Sequence, residues 1–213
     1  MSDIINIINL GPHQEARSMN PRMTPAIILR SREQRVLSVC QQSKEQGFAC
    51  RFWEGVIDSR GGWAGINLSF RKIVEWAKEN NLSHVIIGED DLQFSAPFAW
   101  QYYLGQMPDD FDIYSGGIYS GTVKEGRIIN GWSGNTLITV HHNFYDEFLK
   151  ISAEALVEAD HFDRRLGRYA YKNNYRIIDK YVCYQMQGYS DNHRRETKHT
   201  AFLEEMNLFT GLV

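Results

Sequence analysis

The stretch HVIIGEDDLQF, residues 84–94, places three consecutive carboxylates directly after an apolar run. Residues 85–87 are β-branched and continuous, a pattern typical of a buried strand. Residues 89–91 then carry negative charge at the point where the core should end. Because burying an unpaired carboxylate is costly and adjacent like charges add to the cost, we expect something positively charged beside these residues.

Strand and helix patterns alternate on the N-terminal side of this stretch. Residues 26–30 and 49–57 have the pattern of strands, and residues 31–47, which begin with a serine and end with a glycine, have that of a capped helix. A strand, a helix and a strand in this order form a βαβ unit. A second amphipathic helix leads into the strand before the carboxylates, so the unit repeats. We therefore predict an α/β fold with a mostly parallel central sheet and helices on both faces.

The composition is that of a single globular protein. The chain has 213 residues, 43% of them hydrophobic and 23% charged, and its net charge of −3 argues against broad nonspecific binding of nucleic acid. Its three scattered cysteines predict reduced thiols, and no stretch approaches the ~20 apolar residues that span a bilayer. We expect a cytoplasmic protein in which residues 25–193 form one domain, residues 1–24 an N-terminal extension, and residues 194–213 a tail that packs on the domain.

The acidic residues follow a strand, and in open α/β sheets ligands bind outside the carboxyl ends of strands. Alternation along the strand places Glu89 and Asp91 on one face and Asp90 on the other. Such oxygen ligands suit Mg²⁺ or Mn²⁺, which keep water ligands and bridge to substrate phosphates. A metal held there can neutralise a diphosphate leaving group. The alternative is an exposed acidic turn that only ends the strand.

The run GWAGINLSFRKIVEWAKENNLSHVIIGEDDLQF, residues 62–94, resembles the central block of glycosyltransferase family 25, which contains sugar transferases of the lipopolysaccharide and collagen type with a GT-A fold. Further segments resemble the family in matching order, over roughly residues 25–193: PAIILRSREQR (25–35), FDIYSGG (111–117), GWSGNTLITVHHNFYDEFL (131–149), HFDRRL (161–166) and YQMQGYSDNH (184–193). The resemblance implies a single GT-A-like domain. It also implies a metal-dependent transferase that moves a hexosyl or pentosyl group from a nucleotide-sugar donor, with a UDP-sugar as first choice, to an acceptor hydroxyl. The acceptor implied is a glycan or lipopolysaccharide precursor.

The same resemblance assigns roles to individual residues. Glu89 and Asp91 would hold the metal and the donor diphosphate, with Asp90 in support and His193, or Asp191, closing the metal site. Residues implied near the donor nucleotide are Arg30, Ser31, Arg35, Val56, Asp58, Ser69 and Arg71. Asp163 matches the acidic residue expected near the acceptor and is the candidate general base.

Each assignment has a structural alternative. Arginine after a first strand is commonly a solvated residue at a helix start, and His193 is compatible with a plain loop position. Asp163 fits the first turn of a helix, where negative charge is favourable. Phe70 stands where the family carries a histidine, so the contribution of that histidine is missing or comes from Arg71.

Two other functions stay open. The basic cluster HRR at 193–195, with Lys198 and His199, can meet phosphates, which fits a phage-type transferase acting on a hydroxymethylated DNA base. The replaced histidine instead favours a non-catalytic module that binds nucleotide or glycan. A nucleotidyltransferase needs a glycine-rich phosphate loop, for which GPHQEAR (11–17) is a poor match.

Overall fold

The computed structural model describes residues 26–29, 33–49, 51–190, 195–197 and 206–211. Its strands are β1 (Ala26–Leu29), β2 (Arg51–Glu54), β3 (His84–Glu89), β4 (Leu92–Phe94), β5 (Ile113–Ser115), β6 (Ser120–Lys124), β7 (Arg127–Ser133), β8 (Leu137–His141), β9 (Tyr175–Ile177), β10 (Cys183–Gln185), β11 (Gly188–Ser190) and β12 (Arg195–Thr197). Its helices are α1 (Glu33–Gln46), α2 (Gly62–Glu79), α3 (Ala99–Gly105), α4 (Tyr145–Val157) and α5 (Phe162–Arg168), with a 3-10 turn at His142–Phe144. No helix within these ranges is long and apolar enough to cross a membrane. The predicted extension, residues 1–24, lies outside the described residues.

Eight strands form one sheet in the order β2-β1-β3-β8-β5-β9-β7-β6. The β1–β2, β1–β3 and β5–β9 pairs are parallel, whereas β3–β8, β5–β8, β7–β9 and β6–β7 are antiparallel. The predicted mostly parallel sheet is therefore wrong, and the sheet is mixed. Two features make the sheet mixed. Strand β8 inserts between β3 and β5 and runs opposite to both, and β6 and β7 form an antiparallel hairpin. That hairpin turns at Glu125 and Gly126, whose φ angles of 51° and 70° are those of a two-residue type I′ turn.

Helices cover both faces of the sheet, as predicted. Alternation along β3 sends Val85 and Ile87 into a core with α2, α4 and α5, and Ile86 into a second core with α1 and α3. All three side chains are at most 2% exposed. The α/β domain with helices on both faces is therefore confirmed.

Helix α5 packs unusually close to β7. A Cβ atom at Gly167 would lie 2.6 Å from the backbone carbon of Gly131 and closer still to the amide nitrogen of Trp132. The buried Arg165 side chain pairs with Glu154 and Glu158, which fastens α5 to the end of α4. Helix α5, which carries Asp163 in its first turn, is therefore held by close packing at Gly167 and by the ion pairs of Arg165.

Residues 206–211 lie against the domain. The Phe209 ring stacks on Tyr102 with centroids 4.4 Å apart, and its backbone carbonyl accepts a 2.8 Å hydrogen bond from the Ser95 hydroxyl. The Phe209 amide donates to the carbonyl of Tyr181 at 2.9 Å. This short segment therefore adds to the core on the α3 side.

Gly167→Ala is expected to lower the free energy of unfolding by about 1–3 kcal/mol, because the added methyl group meets backbone atoms that cannot rotate away. Gly105→Ala is the matched control, since a Cβ there meets nothing within 4 Å and alanine favours the helix. Urea unfolding of both variants measures the difference. Equal stability of the two variants would contradict the close approach of α5 and β7.

Candidate active site

The acidic residues lie at the carboxyl end of β3, where the sheet changes from parallel to antiparallel pairing. Glu89 is the last residue of β3, and its amide donates a 3.0 Å hydrogen bond to the carbonyl of Thr136, just before β8. Asp90 and Asp91 form the turn into β4 and are buried, with 8% and 5% of their surface exposed. The structure thus buries two adjacent carboxylates next to a third.

A basic side chain meets these carboxylates from α1. Arg35 Nη1 lies 2.5 Å from Asp90 Oδ1 and 3.3 Å from Asp91 Oδ2. Burial acts to lower the pKa of Arg35, but the charges of Asp91 and Asp90 outweigh it and raise the pKa. The expected positive partner is therefore present as the guanidinium group of Arg35, a residue that the family resemblance implies near the donor.

Asp91 keeps one carboxylate oxygen without a hydrogen-bond partner. Its Oδ2 atom accepts from Gln185 Nε2 at 2.6 Å as well as from Arg35. Its Oδ1 atom is buried and has no partner among the described residues. Burial raises the pKa of Asp91 to about 6, against the opposing effects of the Arg35 charge and the Gln185 hydrogen bond. A buried carboxylate oxygen that has no hydrogen-bond donor beside it fits a cationic ligand.

Glu89 and Asp163 complete the cluster. Part of the Glu89 side chain reaches solvent, yet burial of its carboxyl group raises its pKa well above the usual range, and the charges of Asp91, Asp163 and Asp90 raise it further. Asp163, at the start of α5, therefore lies within electrostatic reach of Glu89. Its Oδ2 atom accepts from the Gly134 amide at 3.0 Å and its Oδ1 atom from the Arg164 amide at 2.8 Å.

The structure adds two polar residues that sequence reasoning missed, Gln185 and Asn135. The Gln185 side chain donates to Asp91, and the Gln185 backbone amide donates to the hydroxyl of Tyr119. Asn135, between Gly134 and Thr136, is 6% exposed, and its Oδ1 atom is buried without a partner in the described part of the chain. Gln185 and Asn135 lie in segments that resemble the family, but neither residue carries a charge that marks it.

Other predicted residues make contacts of a different kind. The Ser69 hydroxyl donates to the Gly65 carbonyl and accepts from the Val56 amide, both at 2.8 Å, which ties α2 to the segment after β2. Arg71 donates to the carbonyl of Leu149 at 3.0 Å, between α2 and α4. Their roles near a donor stay predictions.

Asp58 pairs with Arg60 at the surface, and the hydrogen bonds from Arg60 lower the pKa of Asp58 to about 2. Its contribution to donor binding, like that of Ser69 and Arg71, stays a prediction. Arg30, Ser31 and His193 lie outside the described residues.

The acidic cluster, here meaning Glu89, Asp90, Asp91 and Asp163, fits a hard cation in its chemistry. No group of three His, Cys, Asp or Glu side chains is arranged to hold a metal within the described ranges. Mg²⁺ in phosphate-handling sites, however, commonly uses one or two carboxylates and fills its other positions with water and phosphate. The unpartnered Asp91 oxygen and the partly exposed Glu89 supply such a pair.

The metal-free protein is expected to lose stability as pH rises from about 4 to about 6. In this window the folded protein keeps a proton on Asp91, whose pKa is raised to about 6, while the unfolded chain has released it. A shift of this size corresponds to roughly 3 kcal/mol. Asp91→Asn should therefore gain stability over the parent at about pH 7.5 and lose that advantage near pH 4. Urea unfolding with a chelator at both pH values measures this, and a difference independent of pH would contradict it.

No protein-family model matches the chain, and no curated protein matches it in sequence. Among solved structures it is similar to a glycosyltransferase involved in the glycosylation of the major capsid of PBCV-1, with 12% identity, a TM-score of 0.48, and coverage of 80% of this chain and 96% of that one. It is similar to a Drosophila beta-1,4-galactosyltransferase 7 mutant in complex with manganese, UDP-Gal and xylobiose, with 10% identity, a TM-score of 0.41, and coverage of 89% and 76%. It is also similar to a nucleoside-diphosphate-sugar pyrophosphorylase from Vibrio cholerae, with 14% identity, a TM-score of 0.41, and coverage of 85% and 81%. TM-scores below 0.5 at such identities assign no family, so the residues of the site must carry the function.

Proposed function

We propose that this chain is a GT-A-like glycosyltransferase that uses a divalent cation to transfer a sugar from a nucleotide-sugar donor to an acceptor hydroxyl. The observation that carries the proposal is the buried Asp91 Oδ1 atom, which has no partner among the described residues although it lies in a cluster of four carboxylates beside the guanidinium of Arg35. Such a site favours a ligand that brings positive charge. A cation bridging to a diphosphate is the ligand that this donor chemistry suggests.

Glu89 and Asp91 are the residues that would hold Mg²⁺ or Mn²⁺. When bound, such an ion supplies positive charge against which a diphosphate can leave. Asp90 takes no part in this directly, because its carboxylate pairs with Arg35 and so fixes α1 against the turn. Arg35 keeps its charge at all working pH values, which suits a residue that lies beside a donor phosphate.

The transfer step needs one bond made and one broken at the anomeric carbon of the donor. The acceptor oxygen bonds to that carbon, and the bond from the carbon to the diphosphate oxygen breaks, with its electron pair leaving on the nucleoside diphosphate. The proton of the acceptor hydroxyl passes to the carboxylate of Asp163. Each oxygen of this carboxylate accepts one backbone hydrogen bond and keeps further acceptor capacity.

Donor binding is tested by thermal shift with nucleotides and nucleotide sugars, with and without Mn²⁺. A UDP-sugar at 100 times its dissociation constant should stabilise the protein by about 2.7 kcal/mol. Asp91→Asn should abolish the metal-dependent part of the shift, while Asp146→Asn, which changes an exposed carboxylate on α4, should keep it. If no nucleotide shifts the melting temperature, or if Asp91→Asn retains the full metal-dependent shift, the proposal is wrong.

The general base is tested by Asp163→Asn. The amide oxygen of asparagine can still accept the Gly134 hydrogen bond, so the fold of the loop should persist. We expect turnover to fall by ~10²–10⁴-fold with the donor-induced thermal shift unchanged. Asp160→Asn is the control and should stay near the parent rate. Asp160 lies in the loop before α5, and its carboxylate pairs with Arg168. Near-normal turnover of Asp163→Asn would remove this residue from the role.

A further inference from the structure

A groove of about 410 Å³ opens beside the acidic cluster. It runs between the start of the β6–β7 hairpin, the segment after β9 and the C-terminal residues of the described chain. Its volume lies in the range of about 300–1000 Å³ that is typical of small-molecule sites. The lining residues used below are Tyr119, Val123, Asp179, Tyr181 and Asn207.

Tyr119 links this groove to the acidic cluster. It lines the groove, and its hydroxyl accepts a hydrogen bond from the backbone amide of Gln185, whose side chain in turn binds Asp91. A Cβ atom at Gly134 would lie 2.6 Å from the Tyr119 ring, and the Gly134 amide binds Asp163. A ligand in the groove therefore lies against Tyr119, which contacts both Gln185, the residue bound to Asp91, and Gly134, the residue bound to Asp163.

The described lining of the groove contains the carboxylate of Asp179 and no lysine, arginine or histidine. Because affinity for DNA comes largely from cationic contacts with phosphates, this part of the lining offers a phosphodiester backbone no attractive charge.

The polar groups of the groove are held in place by the fold. Asp179 Oδ1 accepts hydrogen bonds from the Tyr102 hydroxyl at 2.6 Å and from the Lys180 amide at 2.8 Å. Asn207 Nδ2 donates to the Asp179 carbonyl at 2.8 Å. Fixed polar groups beside tyrosine rings suit an uncharged sugar, whose hydroxyls can hydrogen-bond while a ring face packs on an aromatic side chain.

We propose that this groove binds the acceptor and that the acceptor is an uncharged carbohydrate, with Tyr119 as the wall that directs its hydroxyl towards Asp163. The inference rests on the proposed function and adds the acceptor class and its site to it. It also selects between the glycan and DNA acceptors that the sequence leaves open.

The test blocks the groove without touching the cluster. Val123 lines the groove and is 41% exposed on β6, so Val123→Trp should fill the groove and leave the fold intact. Ile129→Trp is the matched control, since Ile129 is 36% exposed on β7 of the same hairpin and does not line the groove. The parent and both variants are assayed for release of nucleoside diphosphate from the donor that the thermal shift identifies. The assay is run without acceptor and with candidate acceptors as probes.

The probes are p-nitrophenyl glycosides of glucose, galactose, mannose and xylose, and an oligonucleotide that contains 5-hydroxymethylcytosine. The proposal expects at least one glycoside to accelerate nucleotide release by the parent, with its KM raised at least tenfold in Val123→Trp and unchanged in Ile129→Trp. Release without acceptor should be equal in all three proteins. The inference is overturned if no glycoside accelerates release, if only the oligonucleotide does, or if Val123→Trp uses the glycoside normally. Absence of both donor binding and release in the parent would instead overturn the proposed function.

Discussion

The contact of one guanidinium group with two buried carboxylates is the constraint on which the site depends. Arg35 Nη1 touches both Asp90 and Asp91, so α1 is joined to the turn after β3. Two such charges about 4 Å apart interact by roughly 4 kcal/mol at the effective dielectric near a protein surface. The burial of charged groups offsets much of this gain, so a buried ion pair is weak evidence for stability. The arrangement is better explained by a function that needs negative charge at this place.

Charge at the site is not balanced by Arg35 alone. Arg35 lies closer to Asp90 than to Asp91. Asp91 has a raised pKa and an Oδ1 atom with no partner among the described residues, and burial and the charges of its neighbours raise the pKa of Glu89. Without a ligand, Glu89 and Asp91 hold their protons to higher pH than free carboxylates do, because burial and neighbouring negative charges raise both pKa values. A bound cation would lower both pKa values. Cation binding and the ionisation of Glu89 and Asp91 are therefore coupled.

The sequence predicted the elements near the cluster better than it predicted their partners. The β-branched run of β3 and the carboxylates after it are local signals, and they placed β3 and both helix-covered faces correctly. The expected alternation of the carboxylates along the strand is wrong, because β3 ends at Glu89, and Asp90 and Asp91 form a buried turn in which both meet Arg35. The insertion of β8 between β3 and β5 could not be predicted, because alternation shows which side of a strand is buried and not which strand lies beside it. The antiparallel pairs that contradict the predicted mostly parallel sheet all involve β7 or β8. Both strands follow the end of the βα repeat in the chain.

The same limit explains why Gln185 was missed. Gln185 is an ordinary amide in sequence, and only the pairing of β10 with β4 brings it to Asp91. The Ser69 hydroxyl likewise makes one contact that any helical serine can make, with the carbonyl four residues earlier, and one that depends on the fold, with the amide of Val56. Concentrated charge therefore marked the acidic cluster in the sequence, whereas the distant partners of neutral side chains depended on the fold.

Asp163 makes one hydrogen bond that its place in a helix explains and one that it does not explain. An acidic residue in the first turn of a helix needs no further explanation when it binds the amides of that turn. One oxygen of Asp163 does this with Arg164, but the other crosses to the amide of Gly134, in the connection between β7 and β8. Gly134 has a φ of 93° and packs against the ring of Tyr119, so its amide is presented by a backbone that favours glycine. Helix formation does not require that second contact. Its effect is to hold the carboxylate beside Gly134, whose neighbour Tyr119 lines the groove, which is the side on which the proposed base would meet the proposed acceptor.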